Sequence, residues 1–347
     1  MKRNENLRVI ICAGGSGGHI FPACALFKAM QKKGHDVTII TDARGNVFSG
    51  DIPKKIVLDT IKFSCKNFLG IVYYFIVTFF RFCKIWFARH QDIVIGFGGA
   101  FTVIPLIVSK VFGSKIVIYE QNSIVGKANK FLEKFANLKL ASFKLDESWK
   151  EVLAPVRDDF LKNIPYECDE IIKILVIGGS QGAASFSNIV PKALAKLSRQ
   201  EIKNIEITQQ VAHGNIDELK QVYENLGVKS TLKRFVHGVA DAMFESQLVI
   251  CRSGASTLSE LSATGRPAIL IPYPEATDNH QFHNAMYYRD KKAAWVIEES
   301  DEVVEELGKI LRQILQKREL LKTASFHMIN SSVGRATDSF MELIESI

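Results

Sequence analysis

The chain has 347 residues, 47% of them hydrophobic and 23% charged, which excludes a disordered chain and leaves room for two domains of ordinary size. A net charge of +7 and a pI of about 9.0 suit an acidic partner, whether nucleic acid, anionic lipid or a phosphorylated substrate. The six cysteines are scattered without a C-x-x-C pair, so neither a zinc site nor a disulfide framework is indicated, and a reducing cytoplasm fits best.

The first residues, MKRNENLRVIICAGG, enter a strand at once, with no apolar signal core before a cleavage site. Strands are predicted at 7–12, 36–40, 92–97, 115–120 and 138–142, with helical stretches at 19–33, 67–89 and 101–112 between them. The second half repeats the rhythm, with strands at 173–178, 205–211, 246–251 and 267–272. Continuous β-branched runs are strands buried on both faces, and strand–helix alternation implies parallel sheets. The fold class predicted is α/β: two doubly wound Rossmann-like domains facing a cleft. The domains are placed at 1–160 and 161–330, with a helix at 331–347 returning to the first. The stretch APVRDDFLKNIPYECDE (154–170) has two prolines, mixed charge and no sustained period, as a linker does.

The segment 67–89 carries an apolar run, NFLGIVYYFIVTFF, that is short of the ~20 residues a spanning helix needs. It continues as RFCKIWFARH, aromatic and basic together. Two readings stand: a core helix of an α/β domain, or a helix lying on an anionic membrane surface.

Two strand–loop–helix corners recur half a chain apart, AGGSGGHIFP (13–22) and GGSQGA (178–183). Glycines let backbone approach a ligand, and a helix start offers free N–H groups and partial positive charge. Two such corners suit a diphosphate donor and a second substrate. The first is neither a P-loop nor a G-x-G-x-x-G, and Asp42 is only a weak candidate for holding a ribose. His19, where the loop becomes a helix, suits a general base, or else it caps and packs the turn. A further glycine loop, GFGG, spans 96–99, and Glu120, Gln121 and Asn122 end the strand that follows. In RSGASTLSE (252–260), small residues at a helix start admit a phosphate or sugar edge. Glu260, one turn in, can accept two ribose hydroxyls or simply favour the helix dipole. The turn at 278–281 gathers Asp278, Asn279, His280 and Gln281; His280 and His283 lack a third partner for a metal.

GGSGGHIFP, GFGG, EQN, PVR, GGSQGA, RSGASTLSE, GRPAILIPYP and DNHQFHNA occur in order across nearly the whole chain. In this set the chain resembles the MurG family of inverting GT-B glycosyltransferases. The resemblance implies transfer of N-acetylglucosamine from UDP-N-acetylglucosamine to the 4-hydroxyl of the muramyl sugar of lipid I. The product is lipid II, a peptidoglycan precursor. It implies no cofactor and no metal. It places the enzyme peripherally on the cytoplasmic face of the bacterial inner membrane, with an anionic membrane surface, rather than nucleic acid, as its partner. By the same resemblance, Ser16, Gly17 and Gly18 would face the transferred sugar and the acceptor diphosphate. His19 would be the base, with Glu120 in reserve, and Asn122 would contact the sugar. Arg157 and Ser180 would hold the donor diphosphate, and Val236 would read uracil through its backbone. Arg252 and the run Ala255, Ser256, Thr257, Leu258, Ser259 and Glu260 would meet phosphate and ribose, and Gln281 the sugar hydroxyls. The chain departs from the family pattern at Ala100, where an aromatic is expected, and at Ala154, where asparagine is usual. A UDP-N-acetylglucosamine 2-epimerase, or a transferase with another lipid acceptor, is the alternative on the same fold.

Overall fold

A computed structural model describes residues 6–347 apart from 16, 51, 59–67, 89, 180–181 and 332–335, and only the backbone of 48, 68–75 and 336. The chain divides into two compact units, Met1–Arg157 with Val333–Ile347, and Asp158–Ser332.

The first unit is built on β1 (Arg8–Cys12), β2 (Asp36–Thr41), β3 (Lys55–Val57), β4 (Ile93–Gly96), β5 (Lys115–Glu120), β6 (Leu138–Ala141) and β7 (Lys150–Glu151), in the order β3-β2-β1-β4-β5-β6-β7. Every pairing is parallel, with Val9 beside Ile93 and Ile95 beside Val117. Side chains alternate along β1. Val9 and Ile11 face a core shared with Phe27, Val117, Tyr119 and Phe340, whereas Ile10 and Cys12 face one shared with Phe82, Trp86, Leu106 and Ile118. Helix Gly17–Lys32 covers the first face, with helix Ala336–Glu345 beside it. Phe340 lies parallel to Phe97, ring centroids 5.9 Å apart, and edge-on to Tyr119 at 5.1 Å.

Helix Phe68–Ala88 lies on the other face. Its described side chains divide sharply. Phe82, Cys83 and Trp86 are buried, and the Trp86 indole donates to Ser114 Oγ at 3.0 Å. Ile76, Phe79, Phe80 and Phe87 are exposed, Phe80 to 66%, beside exposed Arg81 and Lys84. The helix is thus a core helix on one side and an apolar, basic surface on the other. Among the described residues, no helix is long and apolar enough to cross a membrane.

The second unit holds β8 (Ile172–Ile177), β9 (Ile205–Gln210), β10 (Lys229–Lys233), β11 (Leu248–Cys251), β12 (Ala268–Leu270) and β13 (Ala294–Val296), in the order β10-β9-β8-β11-β12-β13 and again all parallel. Ile172, Ile174 and Val176 pack with Phe186, Val190, Leu307 and Leu311 from helices Phe186–Leu194 and Val303–Gln316. In both sheets the strand order reverses beside the first strand, at β1/β4 and β8/β11. A doubly wound sheet opens its ligand crevice at that reversal, above the carboxyl ends of the strands.

Candidate functional site

In the first unit, the loop leaving β1 is tied down from beneath. Asp42 is 1% exposed, and its Oδ1 accepts the Gly15 N–H at 3.0 Å and the Gly45 N–H at 2.7 Å, the latter capping helix Ala43–Phe48. Asp42 therefore holds the glycine loop and is not placed for a ribose. Gly15 has φ +85°, a backbone only glycine adopts readily. Phe101 supports the same loop: a Cβ on Gly14 would lie 3.2 Å from its ring. The aromatic that follows Ala100 is thus a buried floor under the loop.

Gly17 and Gly18 open the helix, and His19 follows in its first turn. His19 Nδ1 lies 3.2 Å from the Gly14 carbonyl. A carbonyl only accepts, so Nδ1 carries the proton and Nε2 is the basic nitrogen. Nε2 looks over the second glycine loop, 3.4 Å from where a Cβ on Gly98 would stand. Arg157 is exposed, its guanidinium 6.0 Å from the Phe21 ring on the same helix. Ser16 lies outside the described residues.

Glu120 ends β5 and is 4% exposed. Its Oε1 accepts from Asn122 N at 3.0 Å and more weakly from Asn122 Nδ2 at 3.4 Å. Its Oε2 accepts from Gly126 N and Asn129 Nδ2, both at 2.9 Å. These four donors occupy the carboxylate, which folds the loop 121–126 around itself and sets Asn122. The geometry suits a loop organiser rather than a proton acceptor. Asn129, which also donates to the Tyr119 carbonyl at 3.0 Å, is a buried partner that the sequence did not single out.

In the second unit the β8 loop is equally tight. A Cβ on Gly178 would collide with the backbone of Gly182 and Ala183, and one on Gly182 with Ala212 Cβ. Ser180 lies outside the described residues. From β11 the chain runs through Arg252, Ser253 and Gly254 into helix Ala255–Thr264. Ser256, Thr257 and Glu260 are half-buried at its start. Leu258 and Ser259 are 1% and 2% exposed, and Ser259 Oγ donates to the Ala255 carbonyl at 3.1 Å. Both side chains face the interior, so a ligand contact at either residue is by backbone.

Arg252 has its guanidinium engaged within the protein. It is 9% exposed, and Nη1 donates to the carbonyls of Ile271 at 3.1 Å and Pro272 at 3.0 Å. Nη2 donates to Ser185 Oγ at 3.1 Å, and Glu299 Oε2 stands 2.5 Å from Nη1. Val236 is 3% exposed, so any ligand contact there is by backbone. Burial, and then the Glu260 carboxylate, push the Cys251 thiol up, and burial does the same at Cys12; both stay protonated and inert.

Gln281 Oε1 accepts the Tyr273 N–H at 3.0 Å, and its own carbonyl accepts from Ser253 Oγ at 2.7 Å. Before it, Asp278 and Asn279 both have φ +51°, two successive left-handed residues in one turn. His280 Nδ1 is engaged by the Thr277 carbonyl at 2.7 Å. Among the described residues no group of three or more His, Cys, Asp or Glu side chains is arranged to hold a metal.

Two parallel doubly wound sheets, each with a glycine loop at its reversal point, make the GT-B fold, the class to which family 28 glycosyltransferases belong. Residues 9–139 match the glycosyltransferase family 28 N-terminal domain, and residues 173–339 its C-terminal domain. The chain belongs to the MurG family within that class. It is 34% identical to the UDP-N-acetylglucosamine--N-acetylmuramyl-(pentapeptide) pyrophosphoryl-undecaprenol N-acetylglucosamine transferase of Agrobacterium fabrum, over 98% of this chain and 94% of that one. The equally named protein of Rhizobium meliloti is 36% identical over 90% of this chain and 88% of its own. The crystal structure of Acinetobacter baumannii MurG superposes with a TM-score of 0.84 at 24% identity, covering 98% of this chain and 100% of that one, a likeness of fold.

Proposed function

We propose that the chain transfers N-acetylglucosamine from UDP-N-acetylglucosamine to the 4-hydroxyl of the muramyl sugar of lipid I, with inversion, forming lipid II. The observation that carries this is the 34% identity to a transferase of that name over 98% of the chain. The acceptor hydroxyl attacks the anomeric carbon from the face opposite UDP, through an oxocarbenium-like transition state. His19 takes the hydroxyl proton at Nε2, because Nδ1 is committed to the Gly14 carbonyl. Glu120 positions Asn122 against the transferred sugar. Gly17 and Gly18, at the start of a helix, receive the acceptor diphosphate with Ser16. On the donor side Arg157, Ser180 and the helix start at Ala255, Ser256 and Thr257 offset the charge growing on the leaving UDP. Glu260 takes the ribose hydroxyls, Val236 the uracil, and Gln281 the sugar hydroxyls.

The exposed Ile76, Phe79, Phe80 and Phe87, with Arg81 and Lys84, support peripheral attachment to an anionic membrane on the cytoplasmic side, where lipid I presents its head group. The substrates and the membrane surface are the partners; nucleic acid is not. The test is UDP release from UDP-N-acetylglucosamine with and without a short-chain lipid I analogue. Acceptor-dependent release with a new disaccharide is expected. Release or epimer formation without acceptor would overturn the reading in favour of an epimerase.

A further inference from the structure

The donor loop after β8 is rich in glycine, with Gly178, Gly179 and Gly182 along it. Gly179 and Gly182 have positive φ (+81° and +74°) and no side chain, and the Gly178 N–H reaches Gln210 Oε1 only at 3.4 Å. At the end of this loop Ser185 is gripped by the Arg252 guanidinium. That guanidinium is itself fixed on every side. It bonds the carbonyls of Ile271 and Pro272, which follow β12, and it pairs with Glu299, which follows β13. Its faces lie against Phe186 and Tyr273, with ring centroids 4.8 and 5.4 Å away. Arg252 therefore joins segments at the carboxyl ends of four neighbouring strands, β8, β11, β12 and β13. A planar fork with five N–H donors can span these directions at once; an ammonium cannot.

We propose that Arg252 and Glu299 are positioning residues that brace the donor loop without touching the nucleotide sugar. Glu299 orients the guanidinium and neutralises its charge, and the guanidinium sets Ser185 and hence the loop that receives the diphosphate. This rests on the donor-site reading above. The brace matters to binding because a diphosphate held by backbone N–H groups needs those groups already in place. Without Glu299, Arg252 keeps a largely buried charge with no counter-ion and turns from Ser185 to find one.

The test is calorimetric UDP binding, with steady-state kinetics, on wild type, Arg252→Lys, Glu299→Gln and Glu299→Ala. Arg252→Lys and Glu299→Ala should each weaken UDP binding about tenfold, less than the hundredfold that ~1 Å of misplacement costs at a reacting centre. Glu299→Gln keeps an acceptor and should lose less. The donor KM should rise in proportion, while kcat and the acceptor KM stay within about twofold. A lower melting temperature with both KM values unchanged would mean packing alone and overturn the brace. A large effect of Arg252→Lys with none from Glu299→Ala would mean that Arg252 binds the nucleotide directly, and would also overturn it. Should Glu299→Ala fail to fold, the comparison of Arg252→Lys with Glu299→Gln decides. Wild type that binds no UDP would sink the donor-site reading itself, and the brace with it.

Discussion

Replacing Glu120 by glutamine separates a base from a loop organiser. The carboxylate is 4% exposed and accepts from four donors. Glutamine keeps one acceptor oxygen. Its best placement faces Gly126 and Asn129, where the bonds are 2.9 Å, and this turns its –NH2 onto the Asn122 N–H. A charge-assisted bond contributes ~1.5–3 kcal/mol, and two donors set face to face add a desolvation penalty, so Glu120→Gln should cost about 3 kcal/mol. At ~2–4 °C per kcal/mol for a unit of this size, the melting temperature should fall by about 6–12 °C. Differential scanning calorimetry measures it, and donor KM should rise because Asn122 loses its support. A glutamine variant that melts within about 2 °C of wild type and loses only kcat would refute the reasoning and make Glu120 the base.

His19→Ala should lower kcat by ~10²–10⁴ while UDP-sugar binding is nearly unchanged; equal loss of both would count against the base assignment. Gly178→Ala drives a methyl into the backbone of Gly182 and Ala183, so it should cost ~1–3 kcal/mol and weaken UDP binding; unchanged calorimetric affinity would contradict the loop geometry. Glu345 is held below the usual carboxylate range: burial works to raise it and is outweighed by hydrogen bonds from His35 and Lys33, each 3.1 Å away. Its contribution to stability should be full above the ordinary glutamate value of ~4.3 and fade as pH falls through the lower native value. Wild type and Glu345→Gln should then converge in urea midpoint in acid; a gap constant with pH would refute this.

The central strands were legible because a strand stretch buried on both faces is written almost wholly in apolar residues: ILVI and IVIG lie in β8 and β4. The edge strand β10, KSTLK, was not, since alternate residues meet solvent and its apolar content is one leucine. Strands β3, β7 and β13 are only two or three residues long, too short to show a period. The glycine loops announced themselves, because backbone that must approach a ligand or fold back on itself excludes a Cβ. What the loops lean on did not. Arg252 stands in a ligand-binding motif, and nothing in the sequence announces that Ser185 and Glu299, distant along the chain, meet at its guanidinium. Glu299 itself stands in an acidic run that reads as solvated surface. Leu258 and Ser259 belong to a motif whose helix turns them inward.

Phe340, stacked on Phe97 and edge-on to Tyr119, has a consequence for the order in which the protein is made. The first unit's core takes in a helix encoded after the whole of the second. On the ribosome the second unit can close as soon as residues 158–332 emerge, while the first must wait for 336–345, with the part of its sheet face that Phe340 covers still open. The half translated first should therefore finish last, against the usual N-terminal-first order, and protease pulses on stalled chains of increasing length would show whether its protection arrives only with the final helix.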